Sequence, residues 1–255
     1  TSIYLQLNTV LLGFLKNALA VGYFAAATKV MQMLLTMSAC LGSVMMPRAS
    51  HLIAENKEDE FSRLIQKSYD FTLAIALPMT IGLIFCAPSL ITALCGVKFE
   101  HSILPSQIIA PIILMVAISN VFGIQVLFPK GKINIVTLSC GIGAVADLIL
   151  NLCLIPFFSY IGTSIAYLGA EVATTVSMYF IGRKYIPIIY FKKSHLTYAL
   201  GCIVMAFALY GLSLLQLPTL TILLLQGCCG VLAYFIILCI CKDEMLVQIL
   251  LKIKR

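Results

Sequence analysis

Tryptophan is absent from the 255 residues, and charge is scarce: only 11% of the chain is Asp, Glu, Lys or Arg, against 61% apolar. A soluble domain carries about 45–50% apolar and about 25% charged residues. So little charge cannot cover a water-facing surface, which excludes a soluble globular enzyme. No glycine-rich phosphate loop of the P-loop type occurs, so ATP hydrolysis by this chain is excluded as well. The ten cysteines show no CxxC pairing and no accompanying histidine cluster. They point to neither a disulfide framework nor a metal site, and read as small packing residues between helices. Residue 1 is Thr, with neither the charged n-region nor the cleavage motif of a signal peptide. A start at the mouth of an apolar run reads as part of a longer protein.

What is present is a succession of apolar runs, with a mean hydropathy of +1.05. A hydrocarbon core of about 30 Å takes about 20 helical residues per crossing. The runs predict an all-α, polytopic transmembrane bundle of about eight spans, over 2–15, 21–46, 70–95, 103–128, 133–155, 162–182, 196–215 and 218–241. Pro78 and Pro111 fall inside spans, where a bundle tolerates them as kinks. The stretch 47–69 carries Phe61, Leu64 and Ile65 among charges, which predicts a solvated connector or a short amphipathic helix on the membrane interface.

Basic residues separate by side. Arg48, Lys57, Arg63, Lys67, Lys130, Lys132, Arg183, Lys184, Lys192, Lys193, Lys242, Lys252, Lys254 and Arg255 lie in alternate loops and the C-terminal tail, whereas Lys16 and Lys98 occupy the other side. Positive charge stays on the cytoplasmic face, so the tail is expected inside, and the +7 net charge reads as topology with no nucleic-acid partner.

One basic residue remains, Lys29, inside the second span, and two deep acids, Asp147 and Glu171. A charge at a helix centre costs about 2.5–3.5 kcal/mol on insertion scales and normally faces a bundle interior or a wet cavity. Counting from the outer ends at 1.5 Å per residue puts all three at a similar depth. Each sits on a polar or small stripe: Lys29, Gln32, Thr36, Cys40 and Ser43; Thr137, Cys140, Ala144, Asp147 and Asn151; Ser164, Tyr167, Glu171, Thr174 and Met178. Tyr4 and Asn8 add a fourth. Such stripes serve as interhelical glue or as a site. Asp70 at the inner edge of its span is expected to reach water, and His51, His101 and His195 are expected at the interfaces without partners.

These residues occur in familiar surroundings: VGYFAAATKV at 21–30, PRAS at 47–50, PMTIG at 78–82, LCG at 94–96, QVLFPKGK at 125–132, NLCLIP at 151–156 and YIGTSIA at 160–166, followed by Glu171. Their order resembles the polysaccharide-exporter (Wzx-type) branch of the flippase superfamily that also holds the MATE antiporters and the lipid II flippase. The match covers residues 1 to about 190; the last two helices match in hydropathy alone. The resemblance implies a fold of two helical lobes around a central cavity. On it, 1–190 is the second lobe and 191–255 holds two additional helices and a basic cytoplasmic tail. It implies, without cofactor or catalysis, movement of an undecaprenyl-pyrophosphate-linked oligosaccharide (an O-antigen or capsule repeat unit) from inner to outer leaflet of a bacterial cytoplasmic membrane, with lipids and the polysaccharide polymerase machinery as partners. Lys29 matches the family's basic position and Glu171 its glutamate. Lys29, Gln32, Thr36 and Asn8 are then the candidate substrate-binding residues, and Asp147, Glu171 and Asn151 candidate coupling or counter-ion groups. Two other readings compete. A MATE-like cation or drug antiporter would want an acidic cavity, where Lys29 repels its cargo. An intramembrane enzyme on a prenyl substrate would want clustered carboxylates.

Overall fold

The computed structural model describes residues 2–190, 192–215 and 218–241, without the side chains of 2, 3, 37–44 and 193. Ser43, Cys40 and the basic tail lie outside the described parts. Among the described residues every regular element is helical: α1 (Ser2–Leu15), α2 (Ala18–Ala54), α3 (Glu58–Cys95), α4 (Ile103–Ile109), α5 (Ile112–Asn120), α6 (Ile133–Gly182), α7 (Lys193–Ser213) and α8 (Thr219–Ile240). Five described helices are long and apolar enough to cross a membrane, or six if the bent pair 97–109 and 112–127 is one span.

Local chemistry explains the boundaries. Asn17 Oδ1 accepts a hydrogen bond from the Ala20 amide at 2.9 Å and starts α2. Glu58, Asp59 and Glu60 occupy the first turn of α3, where acids complement the helix dipole, and Gly96, at φ +88°, ends it. The helix runs through Pro78 and Pro88. The expected kink at Pro111 is present: the segments on either side meet at 42°. The second of them passes into a π-helical turn over Val121–Leu127.

Two expectations need correction. The stretch 47–69 is not an interfacial connector. It is the helical continuation of α2 to Ala54 and the first three turns of α3, joined by a tight turn at 55–57. Phe61 and Ile65 are fully buried and Leu64 nearly so, packed with Ala49 and Leu52. Their periodicity faces protein, not the interface. The cysteines also differ. Cys86 and Cys202 are buried, but Cys140, Cys153, Cys228, Cys239 and Cys241 are exposed and face away from the helix packing.

At 50 residues, α6 would measure about 75 Å if straight, more than twice a hydrocarbon core. Ser159, at φ 52° and ψ −131°, breaks it. Three close approaches show that the arms before and after the break run antiparallel: Gly162 lies against Leu154, Gly169 against Leu150, and Gly143 against Ala170 and Thr174. The expected fifth and sixth helices are therefore a hairpin whose turn is almost a single residue.

Gly143 is where the hairpin meets α1. A methyl group there would come within 2.8 Å of Tyr4 Oη and 3.0 Å of the Ala170 carbonyl, and would collide with Thr174 Oγ1. Overpacking of this kind costs about 1–3 kcal/mol. Gly143→Leu is expected to lower the thermal unfolding temperature of the purified protein by several degrees, while Gly141→Ala, at a glycine with open space around it, leaves it unchanged or raises it. Equal melting temperatures for the two variants would contradict the close approach.

The two ends of the bundle differ chemically. At one end Tyr23 packs against Phe99, His101 and Tyr160, with ring centroids 5.2–6.2 Å apart, and Lys16 Nζ donates to the Pro156 carbonyl. At the other, Lys130 pairs with Glu58 at 3.0 Å and lies over Phe61, while Lys132 lies over Tyr185. The loops after α2, before α6 and after α6, assigned to one side by charge, thus meet at one end, and those after α1, after α3 and at the α6 reversal meet at the other. Between them α3 is the central post, touching α2, α4, α5, α7 and α8. Tyr234 Oη donates to the Ala74 carbonyl, and Ser89 Oγ donates to Gln226 Oε1, which fastens α8 to α3.

Candidate functional site

The candidate residues divide into two groups, one exposed and one buried. The first is a stripe on α2. Lys29, Gln32, Met33 and Thr36 are all exposed and lie on one helix face, while Phe24, Ala27, Thr28 and Met31 point into the core. Lys29 makes no hydrogen bond or ion pair among the described residues, so neither Asp147 nor Glu171 serves as its counter-ion. It lies six residues beyond Tyr23, roughly 9 Å below the aromatic cluster. Thr36 Oγ1 donates to the Met33 carbonyl.

The second group is buried where α1 crosses the α6 hairpin. Asn8, Asp147 and Asn151 are fully buried and Glu171 is 2% exposed. The hairpin register brings Asp147 opposite the turn that carries Glu171. Asn151 Nδ2 donates to Asn8 Oδ1 at 2.6 Å and to the Asp147 carbonyl at 2.8 Å, with Asp147 Oδ1 at 3.1 Å. Asn8 is therefore corrected: its side chain is sealed inside with Asn151 and does not join the stripe of Lys29. One turn away, Tyr4 Oη lies 2.9 Å from the Cys140 carbonyl and 3.0 Å from Thr174 Oγ1. Thr174 Oγ1 donates to the Ala170 carbonyl.

The stripe on the first hairpin arm is buried as expected at Asp147 and Asn151 but departs from the expected face before them. Thr137 and Cys140 are exposed, and the buried face runs Ser139, Gly143, Asp147, Asn151 and Ile155, at every fourth residue. Counting by four from Asp147 would have found it. The stripe on the second arm (Ser164, Tyr167, Glu171, Thr174, Met178) is buried along its whole length, as the spacing predicts.

Asn8 Nδ2, Asp147 Oδ2, Asn151 Oδ1, Tyr167 Oη and Glu171 Oε1 are buried without a hydrogen-bond partner among the described residues. An unmet buried polar atom costs about 1–3 kcal/mol, so five in one region are expensive. Two carboxylates, amide oxygens and a phenol suit a proton or a hard monovalent cation, the chemistry of oxygen ligands. No group of three or more His, Cys, Asp and Glu side chains able to hold a metal ion occurs among the described residues.

Two further features escaped the sequence reading. Asp70, expected to reach water, is 7% exposed. Its Oδ2 lies 3.0 Å from Lys192 Nζ and its Oδ1 3.0 Å from His195 Nε2, and it accepts from Gln66 Nε2 at 2.7 Å. His195, expected to stand alone, has its Nδ1 2.8 Å from the Tyr190 carbonyl oxygen. Separately, an apolar recess of about 400 Å³ opens between α3, α7 and α8 and reaches α2 at Leu34, walled by Pro78, Met79, Gly82, Met205 and Phe235.

Residues 1–104 match the family model described as polysaccharide biosynthesis protein. A protein of Escherichia coli strain K12 described as an O-antigen transporter is 26% identical over 180 residues, covering 69% of this chain and 42% of its own length. Its counterpart from Shigella dysenteriae is 28% identical over 181 residues, covering 70% and 44%. The chain thus spans less than half the length of these relatives. Among solved structures, the lipid II flippase MurJ in an inward closed conformation superposes with a TM-score of 0.77 at 17% identity, over 96% of this chain and 52% of that one. The fold is that of this flippase.

Proposed function

We propose, from its similarity to polysaccharide biosynthesis proteins and O-antigen transporters, that the chain serves to move a polyprenyl-pyrophosphate-linked oligosaccharide from the inner to the outer leaflet of a bacterial cytoplasmic membrane. In this reading residues 1–190 are the second lobe of a two-lobe transporter and 191–255 add two helices and a basic tail on the cytoplasmic side. The observation that carries the proposal is Lys29: an exposed cation within a span, without an ion pair among the described residues, on a face shared with Gln32 and Thr36. A lysine at such depth is stable only where it meets water or an anion. Facing the other half of the transporter across a wet cavity, its ammonium offsets the pyrophosphate charge, and Gln32 and Thr36 present hydrogen-bonding groups to sugar hydroxyls. The apolar recess at Leu34 lies one to two turns further along α2 and suits the hydrocarbon tail.

The buried cluster of Asn8, Asp147, Asn151 and Glu171 is then the coupling element: loading it with a proton or a monovalent cation changes the packing of α1 on the hairpin. No chemical step on the substrate is required of any residue.

The test is reconstitution of the whole protein in vesicles, with a fluorescent polyprenyl-pyrophosphate oligosaccharide placed in one leaflet. Protein-dependent protection of the sugar from an external lectin or glycosidase is the expected result. Protein that leaves the lipid in place, yet extrudes a cationic dye under a proton or sodium gradient, would replace this reading by the antiporter.

A further inference from the structure

We propose that the seam between the first turns of α3 and the 187–192 linker is a binding site for an anionic phospholipid, with its phosphate in a basic pocket and an acyl chain in the adjoining aromatic recess. The pocket holds about 340 Å³. Ser62, Arg63, Gln66 and Lys67 of α3 form one wall, and Pro187, Ile189 and Lys192 of the linker form the other. Arg63 and Lys67 are four residues apart, so one helix face presents both. Both are exposed, and neither makes an ion pair among the described residues. The acid inside the seam, Asp70, already faces two partners, Lys192 and His195. The excess positive charge is therefore directed at something outside the protein.

The linker is held in place rather than draped. Gln66, 8% exposed, accepts from the Ile189 amide at 2.7 Å through Oε1 and donates to the Ile189 carbonyl at 3.3 Å through Nε2. This clamp fixes Ile189 between two cavities. On its other side lies a recess of about 580 Å³ with walls from Tyr69, Ile118, Phe122, Tyr179, Phe180 and Tyr190. Ile189 and Phe180 are each 61% exposed there, and Tyr190 Oη is buried without a partner. A pocket of cations that shares a wall with an aromatic, apolar slot has the two chemistries of a phospholipid. A free phosphate would use only the first. The seam lies at the basic end of the bundle, where anionic headgroups attract Lys and Arg.

The test uses the purified full chain in neutral detergent, titrated with dioleoylphosphatidylglycerol, dioleoylphosphatidylcholine or inorganic phosphate, and reads retention by native mass spectrometry. Each basic residue beside an anionic headgroup is worth roughly fivefold in binding. Phosphatidylglycerol is expected to be retained over phosphatidylcholine by about tenfold or more, and Arg63→Gln with Lys67→Gln to abolish that preference. Arg63→Lys with Lys67→Arg keeps it. So does Arg183→Gln with Lys184→Gln, which removes the same charge from the neighbouring turn. Circular dichroism checks that all variants fold. The site is overturned if the Arg63/Lys67 double variant still prefers phosphatidylglycerol. The same holds if the Arg183/Lys184 control loses as much, because the charge would then act as a diffuse field. Inorganic phosphate displacing the lipid at similar concentration would overturn the acyl-chain half of the assignment. The readout does not involve transport and stands or falls independently of the flippase reading.

Discussion

Lys29→Ala is expected to reduce polymer export about 10- to 100-fold in cells that depend on this protein, with the protein still inserted at its normal level. The magnitude is that of a charge-assisted hydrogen bond, about 1.5–3 kcal/mol. The variant leaves the fold intact because the Lys29 side chain is exposed, makes no hydrogen bond or ion pair among the described residues and lies outside both buried cores. Removing an unpaired cation from a span even lowers the cost of insertion. Loss of export beside normal or improved membrane yield is therefore the signature of a substrate contact. Lys29→Arg keeps the charge and is expected to retain a fraction of the export; Lys29→Gln is expected to behave like alanine. Surface polysaccharide measured against membrane-fraction protein checks all three. Normal export by Lys29→Ala would remove the anion site from α2 altogether.

Asp147→Asn carries the second large effect, with stability and transport moving in opposite directions. A buried carboxylate without a basic partner destabilises the fold, and a neutral isostere relieves that cost. The amide keeps the shape, and Asn151 still reaches Asn8 and the backbone carbonyl of residue 147. The melting temperature is expected to stay level or rise, while transport driven by an imposed proton or sodium gradient falls at least about tenfold, the mark of a group retained for function. Glu171→Gln is expected to do the same, and the double variant to fall little further if the two carboxylates act as one unit. A drop in melting temperature with transport unchanged would identify the cluster as interhelical glue.

The parts of this molecule that were legible in the sequence were those governed by local pattern. Lys29 stood out because one cation in an apolar run is conspicuous, and the kink at Pro111 because proline has no amide to give. The buried stripe from Ser164 to Met178 could be read from its spacing. What failed depended on a partner distant in sequence. Asp70 and His195 are 125 residues apart and meet only because α7 packs on α3. Phe61, Leu64 and Ile65 announced an apolar face, but their spacing does not say whether protein or membrane covers it. Asn8 could be placed on a polar face of α1, yet only the crossing with the hairpin decides that this face points inward.

Ser159 also governs what the bilayer meets. With almost no connecting loop, the two arms of α6 lie side by side from the reversal onward. An acid on a single arm facing hydrocarbon would cost about 2.5–3.5 kcal/mol. Paired, the arms cover Asp147 and Glu171 with protein, and α1 closes a further side through Asn8. The sharp reversal thus keeps two acids out of contact with lipid inside an apolar stretch of chain.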